Sequence, residues 1–292
     1  MTRNFRMIDA LCGVAFAAAG LAAGATGSRA QEPVLAYRTL GNGSENVLVL
    51  HHWMGNAGAF EPAMPYLDGE ANTYVFADLR GYGASRGIPG RYDAREIAAD
   101  AFRLADELGW DRFHLVGHSM SGMAVQRMML DDWTSGARRL KSVSAVTPVI
   151  AEGYPADEDT RTFLWNLIHD PELSAQGVGL LTGGKLPGVF TRRAALENIR
   201  TSAPAAMRGY YAMWLDQGFA DEVRAAKVGT PVQVIGGRRD LPGFQEDVLR
   251  GSFEALYTDL RFAFIENSGH FPMEETPALF ASLIEAHIAE HR

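Results

Sequence analysis

The stretch at residues 113–126, FHLVGHSMSGMAVQ, constrains the fold of this chain more than any other. Its first half is a short apolar run typical of a buried strand, and the run stops at Gly117. From Met120 onward, apolar residues recur at helical spacing. Strand therefore gives way to helix around Ser119, and small residues on both sides relieve the crowding of so sharp a reversal. A serine at that apex faces outward beside a helix N-terminus, whose free N–H groups favour a developing anion.

Apolar runs and helical patterns alternate along most of the chain. We predict helices after Ser119 and at residues 58–67, 91–108 and 277–291, and strands at residues 34–40, 47–50, 74–77, 113–116, 143–149, 232–235 and 260–265. This alternation predicts an α/β fold built of βαβ units, with a mainly parallel twisted sheet flanked by helices. In open sheets of that kind, chemistry collects at the carboxyl ends of the strands.

The alternation lapses between residues 150 and 229, where the pattern is helical and rich in aromatic residues. We predict that these residues form a helical lid inserted into a core made of residues 31–149 and 230–292. The chain has 292 residues, 47% of them hydrophobic, which is enough for one substantial core. The aromatic content of the insertion predicts an apolar pocket beneath it.

Residues 1–30 differ in composition from the rest of the chain. Arg3 and Arg6 precede a run of small and apolar residues that ends in the sequence SRA at residues 28–30. Basic, apolar and small-residue segments in that order are typical of a secretory signal peptide. We predict cleavage after Ala30, export to a periplasm or the exterior, and no stable membrane association after cleavage. A retained membrane anchor and a buried N-terminal helix are the alternatives.

The charge balance, the cysteine count and the histidine spacing argue against a nucleic-acid partner, disulfide bonds and a metal site, respectively. The formal net charge is −8, with acidic and basic residues mixed along the chain, whereas a nucleic acid requires a basic patch that releases its counterions. The single cysteine, Cys12, lies in the leader, so disulfides do not stabilise the mature chain. The histidines lack HExxH spacing, and we therefore expect no metal site.

Two further polar residues follow predicted strands and complement Ser119. A serine is a weak nucleophile unless a base removes its proton and a third group orients that base. Asp240 follows the strand at residues 232–235, and His270 follows the strand at residues 260–265. All three therefore fall at the carboxyl edge of the sheet, in the order expected of a nucleophile-elbow hydrolase. Glu246 and Asp247 are alternatives to Asp240 as the orienting group.

Four segments together resemble the α/β-hydrolase superfamily. They read HHWMG at residues 51–55, DLRGYGAS at residues 78–85, GHSMSG at residues 117–122 and GHFP at residues 269–272, with Glu275 and Pro277 beyond. The similarity spans residues 33–290. Because the segments occur in the right order and spacing, they are far more specific than a lone GxSxG motif.

The resemblance implies a role for each candidate residue. Ser119 is then the nucleophile, His270 the base and Asp240 the orienting group. The oxyanion hole is implied to consist of the backbone N–H groups of Trp53 and Met120. No cofactor is implied.

The sequence departs from the superfamily pattern at two glycine positions. The family usually has His-Gly where this chain has His51-His52, and glycine where it has Ser121. Serine is small enough to fit, whereas His52 adds a side chain near the oxyanion loop. We expect His51 to pack behind that loop and His118 to be a structural residue of the elbow.

We expect two more residues of the motifs to be structural. Asp78 and Arg80 fall in the loop that follows the strand at residues 74–77. We predict that they stabilise this loop by local pairing and do not contact substrate.

A serine nucleophile with a histidine base and backbone donors predicts acyl transfer. We expect hydrolysis of a small apolar or moderately polar carboxylic ester or lactone through an acyl-enzyme. Haloalkane dehalogenases and epoxide hydrolases of the superfamily have aspartate at the elbow, so Ser119 argues against both. The alternatives are a cofactor-free perhydrolase similar to bacterial non-haem haloperoxidases, a hydrolase of carbon–carbon bonds, and a ligand receptor that retains the fold for binding only.

Overall fold

The computed structural model of the protein describes residues 33–292. The signal peptide predicted at residues 1–30 lies outside the described residues and stays a prediction. The described strands are β1 (Tyr37–Leu40), β2 (Glu45–Leu50), β3 (Asn72–Ala77), β4 (Phe113–His118), β5 (Leu140–Val146), β6 (Val232–Gly237) and β7 (Leu260–Ile265). The described α-helices are α1 (Ala94–Glu107), α2 (Met120–Ser135), α3 (Glu158–Leu167), α4 (Pro171–Leu181), α5 (Gly188–Thr201), α6 (Pro204–Asp216), α7 (Ala220–Ala226), α8 (Glu246–Leu256), α9 (Pro272–Glu275) and α10 (Pro277–Glu290). No helix in this range has the length and hydropathy needed to cross a membrane.

The strands form one sheet in the order β1-β3-β2-β4-β5-β6-β7. Strand β1 pairs with β3 in the antiparallel sense, and the other neighbouring strands are parallel. The predicted α/β class with a mainly parallel sheet flanked by helices is therefore confirmed.

The core lies on both faces of the sheet because side chains alternate along each strand. On β2, Leu48 and Leu50 belong to a buried cluster that also contains residues of α1, α2 and α8. Val47 and Val49 belong to a second cluster that contains residues of α10. The strands are thus covered by helices on both faces, as apolar parallel strands require.

The strand order reverses direction beside β4, and this places the candidate residues together. The chain runs outward from β2 to β3, then returns so that β4 pairs with the other side of β2. Leu50 at the end of β2 lies opposite Gly117 at the end of β4. Ligand sites of open α/β sheets form in the crevice at such a reversal, outside the carboxyl ends of the strands.

Helices α3 to α7 occupy the chain between β5 and β6. Most of them follow sequence signals that begin a helix. Asp157 and Asp170 accept hydrogen bonds from the first backbone N–H groups of α3 and α4, and α4 and α6 have proline in their first turn. The helical pattern predicted for residues 150–229 is therefore present.

Proline accounts for two differences between the predicted and the observed elements. In place of one helix at residues 58–67, the structure has two short 3-10 helices, Ala57–Phe60 and Met64–Tyr66. Pro62 and Pro65 lie in this region, and proline lacks the N–H that a continuous α-helix requires. Strand β5 ends at Val146 rather than at residue 149, because Thr147 adopts a φ of 37° and Pro148 follows it.

Candidate active site

Ser119 sits at a strained turn between β4 and α2. Its φ of 57° and ψ of −114° lie in a region that residues with a side chain rarely adopt. The turn is held from neighbouring strand ends, since the Ser119 N–H donates to the Val146 carbonyl at 2.9 Å and the Ser119 carbonyl accepts from Val149 N–H at 3.0 Å. Strain that is held in this way is typical of functional sites.

Small residues around Ser119 allow the chain to turn so tightly. A Cβ on Gly117 would lie 2.4 Å from Val125 Cγ1, and one on Gly122 would lie 2.3 Å from Pro148 Cβ. Ser121 replaces the usual glycine of the motif without a clash, and its hydroxyl donates to the His51 carbonyl at 2.5 Å. The departure at Ser121 therefore links the elbow to the loop that follows β2.

The structure brings Ser119, His270 and Asp240 into one hydrogen-bonded chain. His270 Nε2 lies 2.7 Å from Ser119 Oγ, and His270 Nδ1 lies 2.7 Å from Asp240 Oδ2. All three residues are buried. Of the two alternatives to Asp240, Glu246 instead pairs with Arg238 and Arg250 on the surface.

The partners of His270 assign its tautomer. An ionised carboxylate can only accept, so Nδ1 carries the proton that is donated to Asp240, and Nε2 accepts from the Ser119 hydroxyl. Burial raises the pKa of the Asp240 carboxyl, and the neighbouring His270 opposes that shift. Asp240 Oδ1 also accepts from Leu241 N–H at 2.7 Å, which fixes the plane of the carboxylate.

The loops that carry Asp240 and His270 pack closely against each other. They follow the adjacent strands β6 and β7, whose last paired residues are Gly237 and Ile265. A Cβ on Gly237 would lie 2.0 Å from the Gly269 carbonyl oxygen, so only glycine permits this approach. The Arg239 N–H donates to the Ser268 carbonyl at 2.9 Å and closes the contact.

The backbone of His270 is held from three directions. Its carbonyl accepts from His118 Nε2 at 2.7 Å and from the Thr147 hydroxyl at 2.9 Å. Its N–H donates to the Leu181 carbonyl, at the end of α4, at 2.8 Å. His118 is therefore a support of the His270 loop, and the inserted helices contribute to the same support.

Glu275 also fixes the His270 loop, and the sequence did not assign it this role. Its carboxylate accepts from the N–H groups of Gly269 and Phe271, which flank His270, at 2.9 to 3.0 Å. Lys185, which precedes α5, pairs with the same carboxylate at 3.0 Å. Glu275 was visible in the sequence only as a conspicuous acid after the GHFP segment, and its partners depend on tertiary packing.

The backbone N–H groups of Trp53 and Met120 are free to bind a ligand. Among residues 33–292, neither group donates to another atom of the protein. Trp53 is fixed by its side chain, since its indole Nε1 donates to the Met207 carbonyl of α6 at 2.9 Å. The Trp53 group belongs to the loop after β2, and the Met120 group belongs to the first turn of α2, which follows β4. Strands β2 and β4 are neighbours in the sheet.

His51 connects the loop after β2 to the loop after β3. Its Nδ1 donates to the His52 carbonyl at 2.8 Å, and its Nε2 accepts from Leu79 N–H at 3.0 Å. Burial lowers the pKa of His51, which fits a neutral ring with one donor and one acceptor. His51 thus orders the backbone of the loop that carries Trp53.

His52 lies beside the site with an unsatisfied ring atom. It is 7% exposed, and its Nδ1 has no hydrogen-bond partner in the described part of the chain. Burial lowers the pKa of His52 well below its usual range, and His51 adds to the shift, so the ring is neutral. A Cβ on Gly55 would lie 2.5 Å from the His52 ring, and that glycine therefore makes room for it.

Asp78 and Arg80 lie behind the site and bind the protein itself. The Asp78 carboxylate accepts from Ala57 N–H and Ala84 N–H, each at 2.8 Å. Arg80 pairs with Asp100 of α1 through two hydrogen bonds of 2.5 and 2.8 Å. These contacts stabilise the loop after β3. Arg80 also donates to the Pro89 carbonyl of that loop at 2.9 Å, so it connects the loop to α1.

Ser119 and His270 open onto an apolar cavity of about 120 Å³. We call it the inner cavity. Part of its wall comes from the inserted segment, namely Tyr154, Phe163, Leu164, Leu167, Val178 and Trp214, and part from the loops at the sheet edge, including His52, Leu241, Phe244 and Phe271. A small apolar space of this kind accepts a compact apolar group.

A second cavity of about 380 Å³ is also lined by His52. We call it the outer cavity, and its lining includes Arg38, Glu61, Arg193, Glu197 and Glu274. Burial raises the pKa of Glu274 to about 7, and Glu275 adds to the shift. The two cavities share four lining residues, which are His52, Val178, Asn198 and Phe271.

The class of nucleophile-elbow α/β proteins is defined by a serine that is hydrogen-bonded to a histidine–aspartate pair. In that class the three residues lie at the carboxyl edge of a mainly parallel sheet, as they do here. Within that class, the chain belongs to the alpha/beta hydrolase family, whose family model matches residues 47–283. The resemblance seen in the sequence is therefore confirmed.

Known proteins similar to this chain differ in their chemistry. A fluoroacetate dehalogenase from Burkholderia sp is 40% identical over 97 residues, which is 32% of this chain and 32% of that protein. A soluble epoxide hydrolase from Corynebacterium sp. strain C12 is 26% identical over 262 residues, which cover 82% of this chain and 88% of that protein. The crystal structure of a bromoperoxidase from Bacillus anthracis matches with a TM-score of 0.74 at 20% identity, covering 87% of this chain and 94% of that one. These likenesses support the hydrolase family and its fold.

Proposed function

We propose that this protein is a serine hydrolase that cleaves a carboxylic ester or a lactone through an acyl-enzyme intermediate. The observation that carries the proposal is the hydrogen-bonded chain Ser119–His270–Asp240, with distances of 2.7 Å at both links. Nucleophile, base and orienting group are within hydrogen-bond reach before any substrate arrives. The similar dehalogenase and epoxide hydrolase do not determine the reaction here, because this elbow presents a serine hydroxyl.

Each residue then has one task in the reaction. Ser119 Oγ attacks the ester carbonyl while His270 Nε2 takes its proton and passes it to the leaving alcohol. Asp240 keeps the proton on Nδ1 and stabilises the imidazolium that forms. In the second half, His270 removes a proton from the water that attacks the acyl-enzyme, and it returns that proton to Ser119 Oγ as the carboxylic acid leaves.

The negative charge of the tetrahedral intermediate needs donors that are not already used. The free backbone N–H groups of Trp53 and Met120 are the candidates, and the N-terminus of α2 adds its dipole. Loss of one oxyanion donor in another hydrolase cost about 2.7 to 4 kcal/mol of barrier, so these groups carry a large share of the proposed rate enhancement.

We propose that the inserted helices, within residues 150–229, act as a lid over the site and select the substrate. Support comes from the inner cavity, since Phe163, Leu164 and Leu167 of α3 line it opposite Ser119. Its volume of about 120 Å³ favours a short apolar acyl or alcohol group.

The test is turnover of an ester and lactone panel by the mature protein and by Ser119→Ala. We expect hydrolysis of short-chain p-nitrophenyl esters and a loss of about 10⁶ in kcat for the variant, as for a triad serine in another hydrolase. Ser174→Ala is the matched control, because Ser174 lines the same cavity without a hydrogen bond to His270.

Other outcomes would replace the proposal by one of its alternatives. Turnover that survives in Ser119→Ala would contradict a serine nucleophile. Formation of peracid from peroxide and acetate, in place of ester hydrolysis, would indicate a perhydrolase. Ligand binding without turnover in either form would indicate a receptor on the same fold.

A further inference from the structure

Two histidines and a glutamate meet at the C-terminal end of α10, outside the site described above. His287 and Glu290 belong to the last turn of the helix, and His291 follows it directly. Residues at spacings of three and four share one face of a helix. One ring nitrogen from each histidine and one carboxylate oxygen all lie within 4.8 Å of one another.

The imidazole of His287 lacks the partners that a buried polar group normally has. It is 2% exposed, and among the described residues neither Nδ1 nor Nε2 forms a hydrogen bond. The large majority of buried side-chain polar atoms have a hydrogen-bond partner, and a buried atom without one destabilises the fold. Because one ring nitrogen of His287 faces the other two residues, a ligand bound among them would satisfy it.

The tautomer of His291 suits a metal ligand. Its Nδ1 lies 2.8 Å from the His287 carbonyl oxygen, which can only accept, so Nδ1 carries the proton. Nε2 is then left with a lone pair. Histidines that bind metals almost always donate their other ring N–H to a carbonyl or carboxylate in this way.

Glu290 completes the set with a carboxylate that is already oriented. Its Oε2 pairs with Arg261 of β7 at 2.5 Å, which leaves Oε1 for a further ligand. Arg261 holds the carboxylate in place, and its positive charge also weakens the attraction of a cation. The remaining neighbour with a titratable ring is His114, whose Nδ1 and Nε2 are bonded to Ser142 and Glu45.

We propose that His287, Glu290 and His291 bind a divalent first-row transition-metal ion, with Zn²⁺ as the expected occupant. Two imidazoles and one carboxylate are a donor set that Zn²⁺ accepts, with water at the remaining position. These residues read H-x-x-E-H, which differs from the HExxH spacing whose absence led us to expect no metal site. The site is independent of Ser119 and of the proposed ester hydrolysis.

Metal binding at this position would stabilise the end of α10. Phe280, Ile284 and Ile288 of the helix are buried in the second core cluster, so the helix is part of the fold rather than an appendage. A ligand that binds the folded state alone raises the melting temperature in proportion to the logarithm of its concentration. Binding therefore has a thermal readout besides a calorimetric one.

The experiment is isothermal titration calorimetry of the purified full chain, without a histidine tag, with ZnCl₂ in a buffer that does not chelate zinc. We expect one equivalent of Zn²⁺ to bind and the melting temperature to rise, with EDTA reversing the rise. His291→Ala and Glu290→Gln should each abolish this binding. Both substitutions are at the surface, and circular dichroism verifies that the variants fold.

His169→Ala is the matched control, because His169 is an exposed histidine outside the cluster and its loss should leave binding unchanged. His287→Ala is the third test, since it removes the buried ligand itself. The proposal is overturned if wild type binds no zinc, or if His291→Ala and Glu290→Gln bind it as wild type does.

Discussion

The two walls of the inner cavity are built in different ways. At the sheet edge, Ser119, His270 and Asp240 follow strand ends and are connected by hydrogen bonds of 2.7 Å. On the facing wall, α3 contributes the side chains of Phe163, Leu164 and Leu167. The first wall is fixed by the register of a parallel sheet, and the second by the packing of apolar side chains.

The inserted helices also expose more apolar surface than the sheet does. Of the seven large hydrophobic side chains that are exposed among the described residues, four belong to the insertion: Trp165, Leu180, Val189 and Leu196. Under the proposed function, the groups that break the bond and the residues that select the substrate belong to separate parts of one fold. Loops can then vary selectivity while the scaffold preserves the reacting groups.

The two walls nevertheless meet at specific hydrogen bonds. The His270 N–H donates to the Leu181 carbonyl, and the Trp53 indole donates to the Met207 carbonyl. Substitutions on each wall, and at their contacts, should therefore separate loss of chemistry from loss of selection.

After Ser119→Ala, Asp240→Asn should have the largest effect on activity, and it changes the sheet-edge wall. An amide can donate to His270 Nδ1 and favour the wrong tautomer, and the equivalent change in another triad lowered kcat about 10⁴-fold. We expect a similar loss in kcat for ester hydrolysis, with KM little changed, measured by steady-state kinetics. Glu246→Gln, at an acid that pairs on the surface, is the control. A loss of kcat in Glu246→Gln as large as that in Asp240→Asn would contradict the assignment of Asp240 as the orienting group.

Glu275→Gln should weaken the contact between the two walls. It removes the charge that pairs with Lys185 and one acceptor for the N–H groups beside His270. Breaking a fully buried pair costs about 3–5 kcal/mol, and partial exposure of Lys185 reduces this to roughly 1–3 kcal/mol. We expect a lower melting temperature and a lower kcat together. Lys185→Met, which leaves the backbone donors of Glu275 intact, should cost less; an equal or larger cost would contradict this role.

His52→Gly should join the inner and outer cavities. His52 lines both, and the residue usual at this position of the family is glycine. We expect kcat/KM for esters with a larger polar group to rise on the order of tenfold, the scale at which pocket contacts discriminate substrates. Gly55→Ala, which crowds the His52 ring without removing it, is the contrasting variant. An unchanged substrate profile in His52→Gly would show that the ring does not divide the two spaces.

Leu167→Ala should have the smallest effect, and it should change substrate preference but not kcat. Leu167 is 7% exposed and lines the inner cavity from α3. Shortening it should move the preferred acyl chain to a longer one by a few methylene groups, with severalfold changes in kcat/KM and kcat preserved. Leu196→Ala, on the exposed side of α5, should change nothing. If Leu167→Ala instead lowers kcat for all esters alike, the facing wall takes part in the chemistry.

The sequence predicted the sheet-edge wall better than the facing wall for a physical reason. Ser119, Asp240 and His270 each follow a strand whose apolar run is local in sequence, and parallel strands bring their carboxyl ends to one edge. The helix predicted at residues 58–67 failed because the apolar pattern did not account for Pro62 and Pro65. The correct placement of the three site residues and the wrong helix at residues 58–67 therefore both depended on signals that are local in sequence.

Long-range contacts were beyond such signals. The Glu275 carboxylate accepts a hydrogen bond from the backbone beside His270. The Leu181 carbonyl, which belongs to the insertion, accepts one from the His270 N–H. Neither partner is marked by spacing or composition. The H-x-x-E-H spacing of the last helix was readable, but the burial of His287 and the tautomer of His291 emerged only from the structure.

The central claim is that Ser119 is an activated nucleophile. The most direct measurement is reaction of the purified protein with a fluorophosphonate probe, followed by mass spectrometry of the intact protein and its peptides. We expect one adduct per chain, located on Ser119, and none in Ser119→Ala, with labelling strongly slowed in Asp240→Asn. An adduct on another residue, or labelling of Ser119→Ala to the same extent, would contradict the claim.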